Sequence, residues 1–436
     1  MRVLWVTNFI PSVFSEKLGL SDNRKEGWVS GMLDALCGIK DREGITLAIA
    51  SPVPQQYPEG IIESIDGIDL YGFHENEKPE IYEEILEKTF VAIIKDFRPD
   101  MIHIFGTEFP HTRAVTESIR KYGENLRFSS DRVLIGMQGV MGELAEHYLD
   151  GIDPGIVRRN TLRDILRYDG LEAQKLKFSI RSQNEIIALM SAGHITGRTS
   201  FDRGYTEKWA KKAKYHFMNE SLRSEFYEGR WEYECAKAHT VFLCQANYPI
   251  KGMHYVLKAL PALIAKYPDI KIRVAGDSIT SRKTLKDKLK LSGYGKYLLG
   301  LEKMIQKETG VAPDITYLGK LTTEDMRREY LSAGLFLCPS TMENSPNSLG
   351  EAMLLGMPCV AANVGGIPDI IKDGEEGILY EGGNIEALEN AIEEMFEKSP
   401  DELKAFGEQA SKRAREDHDR DNNLKTLIKI YKDITG

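Results

Sequence analysis

Short apolar runs alternate with longer amphipathic stretches along almost the whole chain, and this rhythm restricts the fold more than any other feature. In the first half, Arg2–Asn8, Ile45–Ala50, Met101–Phe105, Arg132–Met137 and His194–Thr196 read as strands, with helical spacing at Trp28–Cys37, Ile81–Phe97, His111–Tyr122 and Asn160–Met190. In the second half, Thr240–Ala246, Ile270–Ala275, Ile315–Leu318, Leu335–Cys338, Pro358–Ala362 and Gly377–Leu379 are strand-like. Helical stretches intervene at Met253–Lys266, Arg282–Glu308, Thr323–Ala333, Asn347–Gly356 and Ile385–Glu397. Apolar strands separated by helices predict parallel sheets covered on both faces. About a dozen strands are too many for one compact open sheet, so the pattern predicts α/β architecture in two doubly wound, Rossmann-like domains. A length of 436 residues agrees with that, at about 100–200 residues per domain. The polar and aromatic segment Asn219–Lys237 has no strand signal and marks the boundary, giving domains of 1–222 and 237–419. Near the end, Leu424, Leu427, Ile428 and Tyr431 share one helical face that must dock on a core.

Several function classes are excluded early. A formal net charge of −9 disfavours nucleic acid as a partner. The charge is uneven: 158–223 holds 14 Lys/Arg against 7 Asp/Glu, a local +7, which leaves −16 for the remainder. That stretch, with Phe178, Ile180, Ile186 and Ile187 beside it, is a candidate for peripheral contact with an anionic membrane face. No apolar run approaches the length of a membrane span. Five cysteines without a CxxC pair predict reduced thiols in a cytoplasmic protein rather than a zinc knuckle or a disulfide scaffold. GxGxxG after a strand, GxxxxGK[ST], GxSxG and HExxH are all absent, which speaks against nicotinamide, P-loop, serine-hydrolase and zincin chemistry.

The densest chemistry lies in Glu343-Asn344-Ser345-Pro346-Asn347-Ser348-Leu349-Gly350-Glu351, directly after the strand Leu335–Cys338. Ser345 reads as an N-cap and Pro346 as the first helical residue. The amides of Asn347, Ser348 and Leu349 would then offer an anion site at the C-terminal edge of a parallel strand. Glu351 lies four residues after Asn347 and shares its helical face. Two carboxylates beside an anion site call for hydroxyl partners, and a sugar nucleotide has hydroxyls on both sides of its diphosphate. Lys251-Gly252 opens the helix that follows the strand Thr240–Ala246; a cation there opposes the helix dipole unless an anion is present. Gly365-Gly366 makes a tight turn before Pro368. In the first half, Gly27, Gln138 and the cluster His103, Glu108 and His111 follow strands. They are candidates for one ligand cleft, although His103 and His111 are poorly spaced for a metal.

These residues together resemble a known family. Lys251-Gly252, Glu343 and Glu351 with seven residues between them, Gly356-Met357-Pro358 and Gly365-Gly366-Ile367-Pro368 are similar to GT-B glycosyltransferases of family 4. His103-Ile104-Phe105-Gly106-Thr107-Glu108 and Gln138-Gly139 resemble its bacterial surface-polysaccharide branch. The resemblance implies two domains facing across a cleft. The acceptor-side domain would be 1–222, completed by a C-terminal helix over 420–436, and 237–419 would bind the nucleotide sugar. It implies a retaining, metal-independent hexosyltransferase with no cofactor, using a nucleotide-diphosphate sugar, with UDP favoured. The acceptor would be a polysaccharide precursor or a lipid-linked oligosaccharide. Lys251 would hold the diphosphate and Glu343 the transferred sugar. Glu351 would bind the ribose, and Asn347, Ser348, Leu349, Gly27 and Gly276 would line the donor site. His103, Glu108 and His111 would serve the acceptor side.

Three departures stand out. The family usually has Arg five residues before the lysine, where this chain has Ala246; it often has His at Gln138 and Gly at Pro346. Arg198 is a candidate to replace the missing charge, and Gln138 can only hydrogen-bond. A sugar-nucleotide 2-epimerase and a non-catalytic nucleotide-sugar-binding subunit are the competing readings.

Overall fold

The computed structural model describes residues 1–20, 27–282 and 284–436. Glu26, read as opening a helix, lies outside them, whereas Gly27 begins the helix Gly27–Cys37. Among the described residues there are fourteen strands in two sheets. The chain divides into two units: Met1–Gly142 with Phe178–Leu222 and His418–Gly436, and Glu143–Lys177 with Arg223–Asp417. This division differs from the sequence boundaries chiefly because 143–177 joins the second unit; that unit also runs Arg223–Asp417 rather than 237–419. The contacts within that unit show why. His254 Nε2 meets the Asp150 carbonyl at 2.9 Å, and Thr341 Oγ1 donates to the His147 carbonyl at 3.0 Å. The Gly293 amide donates to Asp164 at 2.8 Å.

The first unit holds β1 (Arg2–Val6), β2 (Thr46–Pro52), β3 (Gly60–Ile65), β4 (Ile68–Phe73), β5 (Met101–Phe105), β6 (Val133–Gly136), β7 (His194–Gly197) and β8 (Lys214–Phe217). Their order is β3-β4-β2-β1-β5-β6-β7-β8. All neighbours are parallel except β3 with β4. That hairpin, absent from the sequence reading, turns at Asp66-Gly67, where both residues have positive φ, as a type I′ turn requires. The single helix read over Asn160–Met190 is two, Leu162–Arg167 and Leu171–Met190, separated where Tyr168 turns left-handed.

The second unit holds β9 (Lys237–Leu243), β10 (Lys271–Val274), β11 (Asp314–Tyr317), β12 (Ala333–Cys338), β13 (Cys359–Asn363) and β14 (Ile378–Glu381). They run parallel in the order β11-β10-β9-β12-β13-β14. Winding reverses between β9 and β12 here, and between β1 and β5 in the first sheet. Such reversals open the crevice where α/β sheets take ligands.

The last helix, Arg420–Thr435, belongs to the first unit and buries Leu427 and Tyr431 in one of its cores. Tyr431 Oη accepts from Trp5 Nε1 at 2.9 Å and bonds His103 Nδ1 at 2.7 Å. Tyr431→Phe keeps the ring but leaves the indole N–H buried without a partner, a loss of about 1–3 kcal/mol. The midpoint of urea unfolding should fall accordingly with unchanged slope; an unchanged midpoint would show that the hydroxyl contributes no net stability.

Candidate active site

In the second unit, three loops leave the C-terminal ends of β9, β12 and β13 and are packed backbone against backbone. Gly252 has φ +69°, and a Cβ there would lie 1.7 Å from the Pro339 carbonyl oxygen. Gly365 has φ +53°, and its Cβ would lie 1.9 Å from the Glu343 carbonyl oxygen. No other residue fits either place. The Thr341 amide donates to Ile250 at 2.8 Å and the Gly366 amide to Glu343 at 3.0 Å. The glycines noticed in the sequence thus serve first to clamp the loops that carry Lys251 and Glu343.

Those two side chains meet. Lys251 Nζ donates to Glu343 Oε1 at 2.5 Å, and Ser340 Oγ donates to the same oxygen at 2.9 Å. Burial pulls the ammonium's pKa down, but the Glu343 charge and hydrogen bond, with Tyr248 nearby, more than reverse this and hold it well above the ordinary lysine value. The anion that a lysine at a helix start demands is therefore supplied by the protein itself.

The helix Asn347–Leu354 begins one residue later than the sequence suggested. Pro346 is its N-cap, with φ −69° and ψ 114°, so Ser345 is not the cap. A proline side chain cannot accept a hydrogen bond, and the Leu349 amide turns back to the Pro346 carbonyl at 3.0 Å. Leu349 is thus removed from the set of outward amides, which leaves Asn347 and Ser348 at the first turn. Glu351 is buried, at 5% exposure, rather than facing solvent. Arg223 Nε and Nη2 donate to its Oε1 at 3.0 and 2.6 Å, and Tyr330 Oη donates to Oε2 at 3.3 Å. Burial raises the Glu351 pKa, and Arg223 and Tyr330 partly offset it. Arg223 and Tyr330 escaped the sequence reading: neither adjoins a glycine turn or a strand end. Gly276, at φ +112°, ends β10 and exchanges amide hydrogen bonds with Gly319; no atom lies within 4 Å of where its Cβ would be.

In the first unit, Gln138 and Arg198 follow β6 and β7 and converge on Glu220, after β8. Gln138 Nε2 donates to Glu220 Oε1, and Arg198 Nη1 lies 2.9 Å from Oε2. Arg198 is thus already neutralised, and it belongs to the first unit while Lys251 belongs to the second. Glu220, which organises the cluster, had no motif to reveal it.

The histidine assignments are corrected. His103 is fully buried between Trp5, Phe105 and Tyr431, and burial pulls its pKa down to about 3. It is a core residue, because an inward-facing position in β5 has no route to an acceptor. His111 is also fully buried, its Nδ1 2.9 Å from Glu75 and its ring stacked on Phe109. Glu108 stays at the strand end, accepting from the Gly139 amide at 2.8 Å, while its Oε2 is buried with no hydrogen-bond partner. Beside it stands an unforeseen carboxyl, Glu185, fully buried and bonded by the Thr107 hydroxyl and, at 3.1 Å, by the Met141 amide. Burial, reinforced by Glu108, pushes Glu185 up to about 7 against these hydrogen bonds. Among the described residues no group of His, Cys, Asp and Glu has the arrangement of a metal site.

Glu185 gives a signed pH dependence. Its folded pKa lies above that of an unfolded glutamate, so its stabilising contribution is full below about pH 4.5 and is lost as pH rises towards 7. Glu185→Gln should remove this component. Between pH 5 and 7.5 the wild type should lose stability relative to the variant in chemical unfolding; parallel pH profiles would show that Glu185 has an ordinary pKa.

The chain resembles known proteins in sequence and in fold. Residues 233–413 match the family described as "Glycosyl transferases group 1". A D-inositol 3-phosphate glycosyltransferase of Corynebacterium urealyticum is 25% identical over 191 residues, 42% of this chain and 41% of that protein. The chain spans less than half the length of the curated relatives it matches. Sucrose-phosphate synthase from Thermosynechococcus elongatus superposes with a TM-score of 0.68 over 99% of this chain and 98% of its own, at 14% identity. Anabaena HepE in complex with UDP and glucose superposes with a TM-score of 0.62 over 99% of both chains, at 15% identity. Residues 233–413 therefore belong to the glycosyltransferase group 1 family, in a chain with the GT-B fold.

Proposed function

We propose that this chain is a retaining glycosyltransferase that takes a sugar from a nucleotide-diphosphate donor, with UDP as the favoured carrier, to a polysaccharide-precursor or lipid-linked acceptor. The observation that carries the reading is the Lys251–Glu343 pair at the β9/β12 reversal, beside the start of Asn347–Leu354. Lys251 has three N–H groups and gives one to Glu343, so it can also face the leaving diphosphate. The first-turn amides of Asn347 and Ser348 add positive potential where that charge develops. The UDP in the Anabaena structure supports the carrier. Gln138 and Arg198 are proposed to act with Glu220 on the first unit's side, with Glu108 the remaining acceptor-side candidate and Gly27 near the donor. Release of sugar and nucleoside diphosphate without an acceptor separates an enzyme from a binding subunit; a changed sugar still attached to its nucleotide would indicate an epimerase.

Charge supplied by side chains and helix amides leaves no task for a divalent ion. Activity should persist in EDTA and be unchanged by Mg²⁺ or Mn²⁺; loss on chelation with recovery on adding metal would reject the metal-independent reading.

The two glutamates should separate binding from chemistry. A ribose contact at Glu351 does not change during transfer, so Glu351→Ala should raise donor KM by roughly tenfold or more with kcat little changed. Glu343 faces the sugar whose ring gains positive charge, and it also orients Lys251. Glu343→Gln should therefore lower kcat more than it raises KM. The assignment is falsified if both folded variants show the same pattern under saturating-donor kinetics.

A further inference from the structure

The most unusual surface lies on the short helix Leu162–Arg167, which presents its apolar face outwards. Leu162, Ile165 and Leu166 are 63%, 59% and 72% exposed, and Tyr168, which follows, is 83% exposed. At 100° per residue the three aliphatic side chains share one face, and Asp164 stands on the opposite one.

The exposure does not come from a loose segment. Thr161 and Asp164 form a reciprocal capping box. Asp164, at 2% exposure, accepts from the Gly293 amide at 2.8 Å, and Arg163 pairs with Asp164 and Asp169 at 3.1 and 2.9 Å. The helix is therefore anchored on the second unit by its polar side, the reverse of an ordinary surface helix. Isolated exposed leucines need no explanation, but a contiguous apolar patch on a fixed element marks an interaction surface.

Charge identifies the occupant. Arg158, Arg159 and Arg167 flank the patch in sequence, are exposed, and have no ion-pair partner among the described residues. The segment 158–177 carries 6 Lys/Arg against 3 Asp/Glu in a chain of net charge −9. Exposed aliphatic residues with exposed arginines before and after them, followed by a tyrosine, suit an anionic lipid surface, where acyl chains meet charged phosphates. Phe178, Ile180, Ile186 and Ile187, the apolar partners suggested by the sequence, are all half-buried and do not belong to this exposed patch.

We propose that Leu162, Ile165, Leu166 and Tyr168, with Arg158, Arg159 and Arg167, form a docking surface for anionic phospholipid. The proposal stands apart from the reaction, since lipid binding requires no turnover. The test is co-sedimentation of the full chain with vesicles of phosphatidylcholine alone or mixed with phosphatidylglycerol, at low and high salt. The wild type should bind the mixed vesicles at low salt and not the neutral ones. The triple variant Leu162→Ser, Ile165→Ser, Leu166→Ser and the triple variant Arg158→Glu, Arg159→Glu, Arg167→Glu should each reduce binding by at least roughly tenfold. Thermal melts matching the wild type would confirm that both are folded. Absence of binding to mixed vesicles at low salt, or equal binding by the folded variants, overturns the proposal. A wild-type dimer that the serine variant disperses, without vesicle binding, would assign the patch to a second copy of the chain instead.

Discussion

Every strand but β3 points the same way as its neighbours, so each sheet delivers nearly all its following loops to one edge. In the second unit this polarity has a sharp consequence. The loops after β9 and β12 start from adjacent strands on either side of the reversal, and their backbones meet where Gly252 lies against Pro339 and the Thr341 amide donates to Ile250. Gly252 and Gly365 set how closely the three loops approach, because each lets one loop's backbone rest against the next at a distance that no side chain tolerates. The position of Lys251 relative to Glu343 follows from strand order and two glycines, with little left to side-chain flexibility.

Much of this was legible. Strand–helix alternation predicts both sheets because strands apolar on both faces are hard to place elsewhere. Lys251, Glu343 and Glu351 stand out because charges beside helix starts and strand ends conflict with simple packing. The failures have physical causes too. The β3–β4 hairpin carries charges along its length and turns on Asp66-Gly67, a local signal easily lost beside stronger periodicities. Ser345 looked like a cap by residue type alone, but the proline after it sets the helix start one residue later. His103 and His111 sit where sheet ligands gather, yet which way a strand or helix residue faces depends on packing against Tyr431 or Phe109. Glu185, Glu220 and Arg223 were invisible because each gains its meaning from a partner distant in sequence, at Thr107, Arg198 and Glu351 respectively.

The two ion pairs of the candidate site differ in kind. Lys251–Glu343 lies at loop ends and is partly exposed, with side chains at 21% and 13%. Arg223–Glu351 is deeper on the carboxylate side, with side chains at 21% and 6%. Removing one member of a buried pair leaves an uncompensated charge, so the deeper pair also has a structural duty, holding Arg223 against the helix that begins at Asn347. A change at Glu351 must therefore be judged against folding as well as binding.

Both pairs also leave capacity for a ligand. An ionised carboxylate offers about four lone-pair sites. At Glu351, Arg223 occupies Oε1 twice while Tyr330 reaches Oε2 only at 3.3 Å, so Oε2 can accept a hydroxyl without displacing the arginine. On the proposed reading, that hydroxyl belongs to the donor's ribose. Charge is tighter at Lys251. Its ammonium is balanced by Glu343, so an arriving diphosphate meets a locally neutral pair rather than a free cation. Ala246, five residues before Lys251, adds no charge. On the proposed reading, neutralising the leaving group then falls on orientation: the Lys251 N–H groups aimed by Glu343, and the first-turn amides of Asn347 and Ser348 fixed in place before the donor arrives. Preorganised dipoles of this kind need no rearrangement as charge develops, which allows a site with little net positive charge to stabilise a departing anion.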